Sequence, residues 1–329
     1  MTPNIHINVV DAGGRYGLHP TWKPFTGELK YFLFEPDSIE AARLREKYAS
    51  RSGEVEVLDR ALLDKEGSTR LFLFRNRAMS SSCERNPVVV FYKGEREHEP
   101  DIVSHQDVPT LTVDGFCKER QIALDFLKLD TEGTEYLVLQ GAQEQLSRNV
   151  LGVRCEVAFD RIFKGMPMFS AIHDFMLANN FFLLNLSYDG RGDYSNEFVE
   201  VNGKFGILTN CDAVWLKRRE FLFEQSDASS EERSVRVLKY ATFCLNNFAS
   251  DVAVEVLLHA RQHHALNFES LKDTRLYKFL DRAIHQQFYR LKWQPGQSMQ
   301  KHQQVYSDIF GKRMLEMHEY NESLEMNPD

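Results

Sequence analysis

The chain has 329 residues, 43% hydrophobic and 27% charged, the proportions of an ordinary globular protein, which excludes wholesale disorder and a collagen-like chain. Its net charge of −8, from 40 basic and 48 acidic residues, argues against a surface built to neutralise nucleic-acid phosphates. At about 150 residues per domain the length predicts roughly two domains.

The opening MTPNIHINVVDAGG lacks the basic head and long apolar stretch of a signal peptide, and no run of about 18 apolar residues follows. No membrane span and a cytoplasmic location are therefore expected. Cys83, Cys117, Cys155, Cys211 and Cys244 lie dozens of residues apart without a Cys-x-x-Cys pair, so buried free thiols are expected rather than zinc or redox chemistry.

Up to about residue 218, short β-branched and apolar runs alternate with amphipathic segments, the pattern of a mostly parallel sheet covered by helices. Predicted strands are Ile5–Val10, Tyr31–Phe34, Val55–Leu58, Phe126–Leu129, Leu151–Glu156 and Phe181–Leu186. Ser38–Ala49 and Thr134–Leu146 have helical spacing, and each opens on a Ser or Thr suited to capping. Phe198–Val201 and Phe205–Leu208 flank Asn202-Gly203-Lys204 and predict an antiparallel hairpin, followed by a strand at Ala213–Lys217.

After the polar stretch Glu224–Arg233 the strand signals vanish. Val235–Asn246, Asp251–His263, Asp273–Leu291 and Gln300–His318 read as helices. From Glu220 onward the tail carries 13 basic and 16 acidic residues, so it is no basic arm. Two domains follow, 1–220 and an α-helical 221–329.

The chemistry concentrates where the first strand runs into Val9-Val10-Asp11-Ala12-Gly13-Gly14-Arg15-Tyr16-Gly17. A dinucleotide fingerprint would place its first glycine where Asp11 stands, and a carboxylate there repels phosphate but attracts a cation. S-adenosylmethionine, with an ammonium and a sulfonium and no phosphate, meets that description. The acid of Phe34-Glu35-Pro36, at the end of the second strand, can accept hydrogen bonds from both hydroxyls of a ribose.

With VDAGGRYG and FLFEPD, the pieces LDRALLDKEGSTRLFL, Ser80-Ser81-Ser82, VPTLTVDGF and FLKLDTEGTEYLVLQGA complete a series that resembles the FkbM-type family of S-adenosylmethionine-dependent methyltransferases over roughly residues 5–160. The resemblance implies a Rossmann-like class I methyltransferase fold, α/β with a mostly parallel sheet and an antiparallel edge hairpin, here with a C-terminal helical domain. It implies that Asp11, Gly13 and Gly17 lie along the methionine part of the cofactor, with Gly14 in the same turn, and that Glu35 holds the ribose. The backbone of Arg60 and Ala61 would flank the adenine, Ser81 and Ser82 would lie near the cofactor, and Asp130 and Glu132 would face the reaction centre. Arg15 stands where the family commonly has Asn, and Gly17-Leu18-His19-Pro20-Thr21-Trp22 resembles a subset with a longer aromatic loop.

Methyl transfer to a hydroxyl calls for a nearby general base, and Glu132, Asp130 and Glu156 are the candidates, the first two favoured. Either Glu132 or Glu156 can instead cap a helix or pair with a cation. Asp130 and Glu132 suit Mg²⁺, but no third acid is evident and no metal is assigned. His173 could reach the site mouth or sit on a helix face. The helical spacing of His259 and His263 can chelate a metal, although their polar neighbours favour a solvated face. Phe159, Phe163, Met166, Met168 and Phe169 either wall the acceptor pocket or simply pack.

The expected function is O-methylation of a hydroxyl on a small-molecule or glycan acceptor: a saccharide, glycolipid or secondary metabolite, a saccharide first. Alternatives are a methyltransferase-fold scaffold and, more remotely, an NAD(P)-dependent oxidoreductase, against which Asp11 counts. The C-terminal helices would serve a homo-oligomer or a protein partner.

Overall fold

The computed structural model describes residues 5–86, 102–187, 190–192, 207–223, 228–291, 298–317 and 319–320. They divide into two compact units, His6–Arg218 and one built mainly from Arg219 onward.

The first unit runs β1 (Ile7–Ala12), β2 (Leu29–Phe34), α1 (Ser38–Lys47), β3 (Val55–Leu58), β4 (Ala61–Leu62), β5 (Gly67–Phe74), β6 (Ile102–Leu111) and α2 (Val113–Arg120). It continues with β7 (Phe126–Leu129), α3 (Glu135–Gln140), α4 (Gln143–Arg148), β8 (Gly152–Ala158), α5 (Phe169–Ala178), β9 (Phe181–Leu186), β10 (Gly190–Gly192) and β11 (Ile207–Lys217). The main sheet has the order β3-β2-β1-β7-β8-β11, with β9 and β10 both pairing along the far side of β11. Only β11 runs antiparallel to its neighbours, so the expected mostly parallel, Rossmann-like sheet is present.

Several boundaries differ from the sequence pattern. β1 starts later than predicted and runs on to Ala12, which places Asp11 inside the strand rather than in the turn. Its alternation sends Val10 and Ala12 into the main core and Asp11 to the opposite face. β11 absorbs Ile207 and Leu208 into one long strand between β8 and the β9–β10 edge. The predicted hairpin residues 198–206 lie outside the described residues.

The cap of α1 is Asp37, whose carboxylate accepts the Ile39 N–H at 3.2 Å, rather than Ser38. Thr134 makes no side-chain cap. The predicted helix Thr134–Leu146 breaks into α3 and α4 at Gly141, whose backbone lies so close to the Leu63 carbonyl that a Cβ would collide with it.

A second sheet, β4-β6-β5, was not predicted. The first half of β5 is mostly exposed and polar, Gly67-Ser68-Thr69-Arg70, so only its second half carries a strand signal. Ala61, Leu71, Leu73 and Val108 give this sheet a small core of its own.

The second unit comprises α6 (Glu220–Phe223), α7 (Ser230–Asn246), α8 (Ser250–His264), α9 (Arg275–Leu291) and α10 (Met299–Phe310). α7 starts ahead of the predicted Val235 because Ser229 and Glu232 form a reciprocal capping box. α10 stops at Phe310, where Gly311 adopts a φ of 68° and ends the helix. Asp281 of α9 is buried and receives hydrogen bonds from the Tyr306 hydroxyl and, at 2.7 Å, from Lys312 Nζ. Among the described residues no helix is long and apolar enough to cross a membrane. All five cysteines are free, and all but the half-buried Cys83 are buried.

Candidate functional site

A cavity of about 260 Å³ opens where β1, β2, β7 and β8 end, the edge on which α/β sheets bind ligands. Gly13, Glu35, Arg60, Ala61, Ser82, Asp130, Glu132 and Glu156 line it, and so does Arg15. Asp11, Gly14, Gly17 and Ser81 do not.

Gly13 has a φ of 81°, and a Cβ there would collide with the Asp130 carbonyl oxygen. The chain passes so close to the end of β7 that only glycine fits. Gly14 and Gly17 are less tightly held, their nearest neighbours being the side chains of Leu33 and Tyr48.

Asp11 is 1% exposed, and its carboxylate accepts hydrogen bonds from Lys128 Nζ at 3.0 Å and from the Tyr31 hydroxyl. The parallel register sets Asp11 of β1 directly beside Lys128 of β7. Lys128 also lies 3.5 Å from Asp130, so one half-buried cation joins the sheet interior to the cavity. Burial would lower the Lys128 pKa, but Asp11 and Asp130 raise it.

Glu35 follows β2 and is 5% exposed. One of its oxygens accepts the Asp37 N–H at 2.9 Å, and the other has no hydrogen-bond partner among the described residues. Burial pushes its carboxyl up to about 7 against the pull of the Asp37 amide. Arg15 donates to Asp37 at 3.2 Å, and Arg77 donates to the same carboxylate from two nitrogens at 3.1 and 3.2 Å. Burial raises the Asp37 pKa, but these bonds outweigh it and hold the group below its ordinary value. Trp22 of the aromatic loop is buried and packs on Phe126 with ring centroids 5.1 Å apart, so it belongs to the core.

Ser81 is fully buried, and its hydroxyl donates to the carbonyl oxygen of Glu132. It supports a residue held at a φ of 57°, a left-handed conformation that a side chain adopts only when its surroundings enforce it. Next to it, the buried Glu135 carboxylate accepts the amides of Thr131 and Gly133. These bonds fix the turn between β7 and α3, and with it the position of Glu132.

Asp130, Glu132 and Glu156 each bring a carboxylate oxygen within 4.8 Å of the others. Glu156 accepts a hydrogen bond from Asn210 of β11 at 2.6 Å. Burial, then repulsion from Glu156 and Asp130, pushes Glu132 well above the ordinary carboxylate range. Burial, then Asp130, pushes Glu156 up to about 8. Burial raises Asp130 as well, with Lys128 pulling down. Such a trio can share protons, face a cationic ligand, or hold a small divalent cation through oxygen. The sequence had placed Asp130 and Glu132 together; the third acid comes from β8, an adjacent strand.

These shifts give a signed prediction for stability. Glu156 ionises near its ordinary 4.5 when unfolded and at about 8 when folded, so across that window the folded chain binds more protons and loses stability as pH rises. Glu156→Gln is expected to raise the melting temperature of the ligand-free protein by roughly 5 °C at pH 8 and hardly at all at pH 4.5. Equal melting curves at pH 8 would reject the shift.

Ile162, Phe163 and Met166 wall a smaller cavity adjoining the first, whereas Phe159 and Phe169 pack against the main core and Met168 precedes α5 as its cap. His173 accepts the Trp215 indole N–H at 3.2 Å and stacks on Phe169, and it lines neither cavity. In the second unit the rings of His259 and His263 lie 4.6 Å apart, and Phe223 stacks on His264. Two residues escaped the sequence reading. Arg77 lies in a short turn with no pattern, while Lys128 had left a signal as a lone cation between Leu127 and Leu129 of an apolar strand.

Residues 22–183 match a family model described as the methyltransferase FkbM domain. The chain carries an FkbM methyltransferase domain. The matched stretch holds Glu35, Lys128 and all three acids of the cluster, and begins just after the glycine turn. No curated protein matches the chain. Among solved structures it is similar to the crystal structure of methyltransferase FkbM from Methylobacillus flagellatus KT, with 14% identity and a TM-score of 0.38. That alignment covers 64% of this chain and 43% of the other, so the chain spans less than half the length of that protein.

Proposed function

We propose that the FkbM domain binds S-adenosylmethionine in the 260 Å³ cavity and transfers its methyl group to a hydroxyl of a small-molecule acceptor. The observation that carries this reading is that one cavity has Glu35 among its walls together with the cluster Asp130, Glu132 and Glu156. The residues fit the ligand. Glu35 offers a buried carboxylate with an unused oxygen to ribose hydroxyls, and Gly13 lines the same cavity. The anionic cluster favours a cation. When bound, S-adenosylmethionine supplies a methyl group on a positively charged sulfur.

The chain's own residues supply position and proton handling. Arg60, Ala61 and Ser82 line the cavity with Glu35, and Ser81 holds the Glu132 backbone in place. Glu132 is the favoured proton acceptor, because its carboxylate borders both cavities and has no hydrogen-bond partner among the described residues.

Calorimetry with S-adenosylmethionine and S-adenosylhomocysteine tests the reading, with NAD and NADP as controls. Glu35→Ala is expected to weaken adenosyl-ligand binding by about 1.5–3 kcal/mol and to abolish a rise of affinity as pH increases through about 7. Unchanged affinity removes Glu35 from the site. Absence of binding by the unaltered protein, with and without Mg²⁺, favours the scaffold.

A further inference from the structure

We infer that the acceptor reaches the carboxylate cluster through the second cavity and is an alcohol whose hydroxyl projects from an apolar chain or ring, not from a polyhydroxylated sugar. This rests on the methyl-transfer reading above. The second cavity measures about 190 Å³ and is walled by Met79, Val157, Ala158, Ile162, Phe163 and Met166. It shares Glu132 and Glu156 with the first, so a molecule filling it reaches the same two carboxylates as the cofactor cavity.

The chemistry of its wall selects the occupant. Ala158, Ile162, Phe163 and Met166 form an apolar cluster separate from the main core, with Met79 packed against it. The polar residues of its lining are Glu132, Glu135, Glu156 and Asn210, and two of them are engaged elsewhere or with each other: Glu135 holds the amides of Thr131 and Gly133, and Asn210 donates to Glu156. Glu132 and Glu156 are left to meet one hydroxyl. A saccharide has a hydroxyl on nearly every carbon, and each one pressed against Ile162, Phe163 or Met166 would lose its water without a replacement, weakening binding about tenfold. An alkyl or aryl body gains from the same wall, and the flexible Met side chains adapt to its shape. In the transfer, the alcohol oxygen bonds to the methyl carbon, the electron pair of the broken carbon–sulfur bond stays on sulfur, and the hydroxyl proton passes to the carboxylate cluster.

The test uses the full chain with S-adenosylmethionine tritiated in its methyl group, offering 1-butanol, 1-hexanol and 1-octanol against sorbitol and methyl glucoside. Expected are transfer to the alkanols, with kcat/KM rising about fourfold per added methylene until the cavity is full, and background counts for the polyols. Met166→Gln should flatten that chain-length dependence by raising KM, while S-adenosylhomocysteine affinity, which reports the first cavity, stays as in the unaltered protein. Preference for the polyols, or a flat response to chain length in the unaltered protein, overturns the inference. So does transfer to no alcohol while S-adenosylhomocysteine still binds, an outcome that leaves the cofactor reading standing. Failure of the unaltered protein to bind S-adenosylhomocysteine instead removes that reading itself.

Discussion

Glu132→Gln is expected to slow methyl transfer by about 10²–10⁴-fold, the span of a lost general base, while S-adenosylhomocysteine affinity changes by less than about threefold. The substitution keeps the shape of a side chain whose backbone is pinned at a φ of 57° by Ser81 and by the turn around Glu135, so only the proton-accepting oxygen is lost. Burial and the neighbouring Glu156 and Asp130 hold the Glu132 pKa well above the ordinary range. With Glu156 of the same cluster pushed up to about 8, the rate of the unaltered enzyme should climb with pH from 6 to 8 as the cluster gives up its protons. In the Gln variant that climb should shrink. Repeating the assay with EDTA separates proton handling from a divalent cation held by the three carboxylates: activity that survives chelation assigns the cluster to the proton, and activity that Mg²⁺ alone restores assigns it to metal. Equal turnover in the variant removes Glu132 from the mechanism.

Much of this site was legible in the sequence because strands leave local signals. A short apolar run followed by Asp130-Thr131-Glu132-Gly133, or by Glu35-Pro36, marks the end of a strand, and ligands gather at such ends in a wound sheet. The sequence also reads Asp130, Glu132 and Glu156 as the ends of adjacent strands; what it could not show was the register between strands and how near their side chains come. Glu156 joins Asp130 and Glu132 because β8 pairs with β7, and Lys128 meets Asp11 because β7 pairs with β1 in that register; both contacts link residues far apart in the chain. Asp11 illustrates the consequence. Its position in a glycine-rich motif placed it against the cofactor, yet one more turn of alternation along β1 turns it away from the core and onto Lys128 and Tyr31. Ser81, a cofactor contact by motif, donates to the Glu132 carbonyl, a contact that the motif does not announce. The β4-β6-β5 sheet was missed because the exposed half of β5 carries Ser68, Thr69 and Arg70, whose period-2 alternation is not one of polarity.

Lys128→Met should destabilise the unit His6–Arg218 by about 3–5 kcal/mol, the cost of leaving a buried charge without its partner. Lys128 is the cation 3.0 Å from Asp11 and 3.5 Å from Asp130, and Asp11 is 1% exposed, so neither water nor another described cation replaces it there. Intrinsic fluorescence follows the loss, since Trp22 and Trp215 are both buried in this unit, and the midpoint should fall by roughly 10 °C. Asp11→Asn should cost less, because Lys128 keeps Asp130 and the Tyr31 hydroxyl keeps a side-chain oxygen. The double change Asp11→Leu with Lys128→Met should recover part of the loss, since replacing both members of a buried pair with apolar groups removes the orphaned charge. That recovery distinguishes a buried pair from a lysine that merely fills space, for which the two substitutions would add. With Asp130 freed from its cation, Lys128→Met should also raise the proton affinity of the cluster further, shifting the alkaline climb in methyl-transfer rate to higher pH. A variant that melts and titrates like the unaltered protein would show that the lysine is no link between the sheet interior and the site.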